Sequence, residues 1–369
     1  MGLKGVPWIA GRREAADGTI GSGVCDRGSA DSDQFAANAG GLAAGAVSGW
    51  SVLAVLASLR LTLACLLLLL GAVAYAYDYA GEADATLPLV LPLSLLSINL
   101  LAAVASNRTF RRQLPLLVFH LALLTVITLV AVSRLTYLRA TTEVVTGGEH
   151  LVMERVAAGP LHRGAKDSVN FENLGFTIDY KPGLQRDATV NRVRWRDESG
   201  MQRTAEIGDQ VPLVIHGYRF YTTPNKGFAA MFRWEPEQGE AQLGSVNFPG
   251  YPTYKDAQTT TWRLGTEDVR VTLNIREQLI NPETASRFRL PNEHDVKVDF
   301  PWRVATLKPG EAVMVPAGRL VYLGLTTWMG YNVFYDWTMP WLLAACALAA
   351  LALGWHFWRK FALRPWQAG

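Results

Sequence analysis

Between Arg111 and Arg139 the chain reads RRQLPLLVFHLALLTVITLVAVSRLTYLR, and this stretch decides the fold. From Leu116 the residues are Leu117, Val118, Phe119 and His120, then an unbroken run of Leu, Ala, Val, Ile and Thr to Val132. At about 1.5 Å per residue such a helix crosses a hydrocarbon core of about 30 Å with some tilt. His120 therefore lies inside lipid rather than at its edge. An ionisable group there is costly, turns toward protein or a cofactor, and is a functional candidate. The long segment that opens after Arg139 is delivered to the far side of the membrane.

The 369 residues carry a net charge of +3, too small to imply nucleic acid, and no basic, aromatic-interleaved patch supports such a partner. Apolar residues concentrate in Val52 to Ser133 and in Trp341 to Trp358. Of the three cysteines, Cys65 and Cys346 fall in those runs and Cys25 near the N-terminus, so the long segment between them has no thiol chemistry of its own.

Residues 1–48 are rich in Gly, Ala, Ser and Asp without apolar periodicity and read as a disordered tail. The first long apolar run starts too late and is too long for a signal peptide. Residues 49–139 form a three-span membrane region. Trp50 to Arg60 can lie at the interface, and Leu61 to Tyr77 and Leu87 to Ala105 span ahead of the His120 helix. The turn with Arg108, Arg111 and Arg112 is basic, the loop with Asp78, Glu82 and Asp84 is acidic, and the end of the chain has Arg359, Lys360 and Arg364. The positive-inside rule then puts the basic turn and both termini in the cytoplasm. Residues 337–369 hold the fourth span, Trp341 to Trp358, with His356 near its cytoplasmic end.

Residues 140–336 change to period two. Phe176, Ile178 and Tyr180, Val193 and Trp195, and Val269, Val271, Leu273 and Ile275 alternate with polar neighbours, which predicts half-buried strands. Turns are predicted at Lys181-Pro182-Gly183, Asp197 to Gly200, Pro224-Asn225-Lys226-Gly227 and Lys308-Pro309-Gly310. The expectation is an all-β sandwich or barrel-like domain, extracytoplasmic, between spans three and four of a multi-pass membrane protein. Open sheet edges cannot face lipid.

Walker, CxxCH, GxSxG and HExxH sequences are all missing, which removes the commonest nucleotide, c-haem, hydrolase and zinc-protease signatures. His150, His162, His216 and His294 have no metal-ligand spacing and read as surface or strand-face residues. His120 reads either as a ligand, for which neutral imidazole suits iron, or as a packing hydrogen bond.

The arrangement resembles the ResB family of the system II cytochrome c biogenesis machinery. The resemblance rests on Leu56 to Leu61, Asn99-Leu100-Leu101, Phe119 to Leu124, Phe176 to Tyr180, Gly217 to Tyr221 and Trp328 to Val333 with Asp336. Asp336-Trp337-Thr338 stands where the family pattern leads one to expect Asp-Pro-Gly. The resemblance implies a subunit of the bacterial cytoplasmic membrane, not an enzyme by itself, that assists haem transport and haem attachment to apocytochrome c. His120 becomes an axial ligand candidate for a transient haem b, shared with a tryptophan-rich haem-handling subunit of the CcsA/ResC kind. Thiol reduction falls to other subunits. His356 is the alternative second ligand, disfavoured because Trp355, Trp358 and Arg359 place it in the headgroup zone. The competing expectation is a membrane-anchored β-domain scaffold of another envelope complex, with no haem role.

Overall fold

The structure, a computed structural model, describes residues 49–78, 86–149, 151–163, 169–264, 267–316 and 318–362. The expected tail with Cys25, Tyr79, Glu82 and Asp84 of the acidic loop, His150 and Arg364 lie outside the described residues.

Short helices α1 (Gly49–Leu56) and α4 (Arg108–Arg112) accompany four long ones: α2 (Leu59–Asp78), α3 (Thr86–Ser106), α5 (Leu114–Thr136) and α6 (Met339–Ala362). The four long helices are each apolar and long enough to cross a membrane, three before the β domain and one after it, as expected. Pro115 sits in the first turn of α5, where its missing N–H costs nothing, and Asn107 caps α4 by accepting from the Thr109 amide at 2.9 Å. Helix α3 packs against α2 and α5, and α5 against α6, so the helices form a row. Asn99 of α3 closes the break between α1 and α2. Its amide donates to the carbonyls of Leu56 (2.5 Å) and Ser58 (3.2 Å), and its oxygen accepts from Thr62 (2.7 Å). In lipid no water could satisfy those groups.

Among the described residues the domain between α5 and α6 is all β. Its strands are β1 (Leu138–Val145), β2 (Met153–Ala158), β3 (Glu172–Lys181), β4 (Gln185–Arg196), β5 (Gln202–Ile207), β6 (Leu213–Ile215), β7 (Tyr218–Pro236), β8 (Gln242–Asn247), β9 (Thr259–Leu264), β10 (Glu267–Ile275), β11 (Ser286–Arg287), β12 (His294–Asp299), β13 (Val304–Leu307), β14 (Ala312–Val315) and β15 (Gly318–Tyr335). They build three sheets: β2-β1-β15-β7-β6, with β14 on β15 and β8 on β7; β13-β12-β10-β9; and β11-β3-β4-β5. The predicted alternation holds: Val269, Val271 and Leu273 of β10 are buried between exposed Arg270 and Asn274, and Ile178 and Val193 are fully buried. One core joins the sheets, with Phe171, Phe220, Phe228, Phe232, Tyr322 and Tyr331 in it.

The turn expected at Pro224 to Gly227 is not a turn. These residues lie inside β7, where pairing with β15 shifts between Thr222 opposite Tyr331 and Lys226 opposite Met329. Residues 223–225 bulge opposite Gly330, whose carbonyl accepts from Thr223 Oγ1 at 2.9 Å. A Cβ on Gly330 would meet Asn225 O at 2.8 Å, so the bulge needs glycine there. Pro and Asn serve a bulge as readily as a turn. The domain also begins slightly earlier than predicted, because one residue, Tyr137, separates α5 from β1.

Candidate functional site

His120 is half-buried near the start of α5. Its Nδ1 lies 2.7 Å from the carbonyl of Leu116, one turn back. A carbonyl only accepts, so neutral imidazole carries its proton on Nδ1 and keeps the lone pair on Nε2. That is the tautomer a metal ligand needs, fixed by the helix's own backbone. The ring of Phe110, from α4, sits 4.3 Å away and that of Phe119 at 5.2 Å, giving the imidazole an aromatic flank.

The direction His120 faces follows from helical phase. Val118, Leu121, Ala122, Thr125 and Leu129 line a groove against Trp341, Ala344, Ala345 and Leu348 of α6. At 100° per residue His120 lies roughly 160° from the centre of that groove-facing stripe. It therefore faces away from α6. His356 lies about 70° from the matching stripe on α6, turned partly toward α5, and each histidine is six residues from the end of its helix that lies away from the β domain. The two histidines do not converge on one volume.

The four histidines read as surface or strand-face residues divide further. His294 is on β12, with Nε2 2.9 Å from the Tyr322 hydroxyl. His216 and Gly217, at φ 49° and 83°, form the tight hairpin turn between β6 and β7. His162 departs from the expectation. Its Nδ1 donates to the carbonyl of Thr136 (2.9 Å), and its Nε2 accepts from the Tyr218 hydroxyl (2.9 Å). The same segment supplies the Gly159 amide to Tyr137 O (2.9 Å) and the Leu161 amide to Leu135 O (2.8 Å). Together they satisfy carbonyls that the end of α5 leaves free. Across the junction Asp336 accepts from Ser133 Oγ (2.7 Å) and from the Thr338 amide (2.9 Å), while Trp337 Nε1 donates to Thr136 Oγ1 (3.1 Å). Periodicity gave no signal for this clamp, since residues 159–162 belong to no strand.

Buried polar residues of the β domain include Asn191 and Lys226. Asn191 donates to Asn173 (2.8 Å) and to Gly175 O (2.9 Å) and accepts from Tyr331 (2.8 Å). Lys226 is buried, 5.2 Å above the Tyr180 ring. Burial, reinforced by neighbouring Arg186, pushes its ammonium down to about 8, and burial pushes Tyr180 up to about 12. No group of three or more His, Cys, Asp or Glu could hold a metal ion among the described residues. Cys65 is buried and Cys346 exposed in their helices, both as free thiols.

The model of the ResB-like family matches residues 99–306, which is 208 of the 369 residues. The chain belongs to the ResB-like family, a family associated with cytochrome c biogenesis. The match includes His120 and runs from Asn99 into β13. No match is found among the curated proteins. The shared-looking motifs resolve mostly into structure. Asn99 holds the α1–α2 break, Gly217 makes a hairpin, and Trp328 Nε1 donates to Phe248 O (3.0 Å) beside the Gly330 bulge.

Proposed function

We propose that this chain is a membrane subunit of system II cytochrome c maturation, in which His120 Nε2 supplies one axial ligand to a haem b within the membrane. The observation that carries the reading is the Nδ1 bond to Leu116 O, which leaves a lone pair inside an apolar helix region. The residues present fit the group: a neutral imidazole flanked by two aromatic rings would hold haem iron through Nε2. Bound there, the haem supplies iron for ligation and the cargo for attachment to apocytochrome c. The chain's part is to hold the imidazole in one tautomer.

The second ligand comes from a tryptophan-rich partner subunit of the CcsA/ResC kind, because His120 faces away from α6, the helix that carries His356. Apocytochrome c and separate thiol-reducing subunits complete the set. The orientation puts the β domain outside the cytoplasm of a bacterial cell, with both termini inside. Supporting it, Arg108, Arg111 and Arg112 of α4 and Arg359 and Lys360 of α6 gather at the helix ends opposite the β domain.

The test is the absorption spectrum of the complex purified with its partner, in wild type, His120→Ala and His356→Ala. His120→Ala should lose the haem bands and regain part of them with added imidazole, while His356→Ala keeps them. Full haem in His120→Ala would remove the ligand assignment and leave the scaffold reading. Equal loss in both variants would make His356 the second ligand.

A further inference from the structure

A cleft of about 720 Å³ opens at the end of the β domain farthest from the helices. Trp234 and Pro236 in its wall pair with Leu320 and Gly318, whereas the helix end of the same ribbon pairs Tyr218 with Tyr335. That separation is about 50 Å along the strand. Five aromatic rings line the cleft: Phe232, Trp234, Trp262, Phe300 and Trp302. Four of them stack in two pairs, Phe232 with Trp262 (5.3 Å) and Phe300 with Trp302 (5.6 Å).

Two open strand edges flank it. Among the described residues strand β8 pairs only with β7, and β9 only with β10. The start of β8 (Gln242 to Gly244) and the end of β9 (Trp262 to Leu264) both line the cleft. Exposed edges are normally guarded by charge, proline or shortness. The other edges here follow that rule: β2 carries Glu154 and Arg155, β5 carries Arg203 and Glu206, and β13 has four residues. The six residues of β8, QLGSVN, have neither charge nor proline, and Leu243 is 70% exposed.

The charges decide the ligand class. The lining offers one cation and one anion, Arg263 and Glu267, and Arg263 is already engaged 3.3 Å from Asp268. With these two carboxylates beside the one guanidinium, the cleft presents no net positive charge to attract a phosphate or a carboxylate. The unmet capacity is backbone hydrogen bonding along a strand edge beside apolar wells, which complements an uncharged, extended main chain with alternating apolar side chains.

We propose that this cleft binds an extended polypeptide, which adds to the β8 edge as a further strand and seats alternate apolar side chains among the rings. The site is independent of the haem reading, since it shares no residue with His120 and is assayed without haem.

The experiment uses the full-length protein in detergent and a fluorescein-labelled nonapeptide of alternating Val and Thr. Two derivatives are N-methylated at every second residue in either register, which removes the N–H donors of one edge and keeps the side chains. The parent peptide should raise fluorescence anisotropy on binding and slow amide exchange in residues 242–247. One methylated derivative should bind at least about tenfold more weakly. Leu243→Lys, and Trp302→Ala at a ring that is 49% exposed, should each weaken the parent by a similar factor with an unchanged unfolding temperature. Absence of binding, equal affinity of all three peptides, or protection at β2 or β5 instead would overturn the proposal. So would self-association of the protein that Leu243→Lys abolishes, since the occupant would then be a second copy.

Discussion

Replacing Gly159 by alanine tests the clamp between α5 and the β domain. A Cβ there would lie 2.3 Å from both the carbonyl carbon and oxygen of Leu135 and 2.7 Å from Arg134 O. All three are backbone atoms in the last turn of α5, which cannot swing aside as a side-chain tip can. The Gly159 backbone does not need glycine for its conformation, so the whole effect is one of space. Reaching ordinary contact at 3.4 Å requires the segment to move by about 1 Å. That breaks the bonds from Gly159 to Tyr137 O, from Leu161 to Leu135 O and from His162 to Thr136 O. At about 1 kcal/mol net apiece, plus the cost of stranding a carbonyl in an apolar surround, the loss is on the order of 3–5 kcal/mol. For a domain of this size that lowers the unfolding temperature by on the order of 10 °C. Tryptophan fluorescence of the detergent-solubilised protein during heating measures it, and amide exchange at residues 158–162 locates it. Gly71→Ala, where an added Cβ meets nothing within 4 Å, is the control and should be neutral or slightly stabilising. If Gly159→Ala melted with the wild type and Leu161 stayed protected, the clamp would have no energetic weight.

Lys226 should leave a signature in the pH dependence of stability. Its folded-state pKa of about 8 lies below the ordinary 10.5, so between those values the unfolded chain binds more protons and stability rises with pH. Lys226→Met should abolish that rise and gain up to about 3 kcal/mol at pH 7; a rise that survives the substitution would refute the assignment. For the orientation, single cysteines at Ser199 and Ser106, in a chain otherwise free of cysteine, should react with an impermeant maleimide from opposite faces of the membrane. Labelling of both from one side would overturn the four-span arrangement.

The membrane helices were legible because lipid imposes a single long-range demand, and runs such as Leu116 to Val132 meet it residue by residue. β10 was legible for the same reason, since burial of one face writes Val269, Val271 and Leu273 into alternate positions. What stayed hidden depends on partners distant in sequence. Residues 224–227 carry turn chemistry, yet β15 lies opposite them and turns that chemistry into a bulge. His162 has no periodic neighbours, and only the folded chain brings it beneath Thr136 and Tyr218. The lone pair on His120 depends on a rotamer that selects Leu116 O, and composition does not specify a rotamer. The aromatic cleft draws Trp234, Trp262 and Trp302 from separate strands or their ends, so no local window contains it.

The junction also constrains how the intramembrane site and the β domain can act on one another. Helix α5 runs from Leu114 to Thr136 with no glycine and no proline beyond Pro115, so it lacks the two residue types that most often break a helix. His120 is sixteen residues from its β-domain end, about 24 Å along a stiff rod. At that end Leu135, Thr136 and Ser133 are bonded to Leu161, His162, Trp337 and Asp336. Immediately beyond it β1 pairs with β15, Leu138 opposite Tyr335, and β15 leads within four residues into α6. Rotation of α5 about its own axis would have to break the clamp, the Asp336 contact and this pairing together. The facing of His120 and the orientation of the β domain are thus one mechanical variable. The point at which the chain could separate them is Tyr137, the single extended residue between α5 and β1.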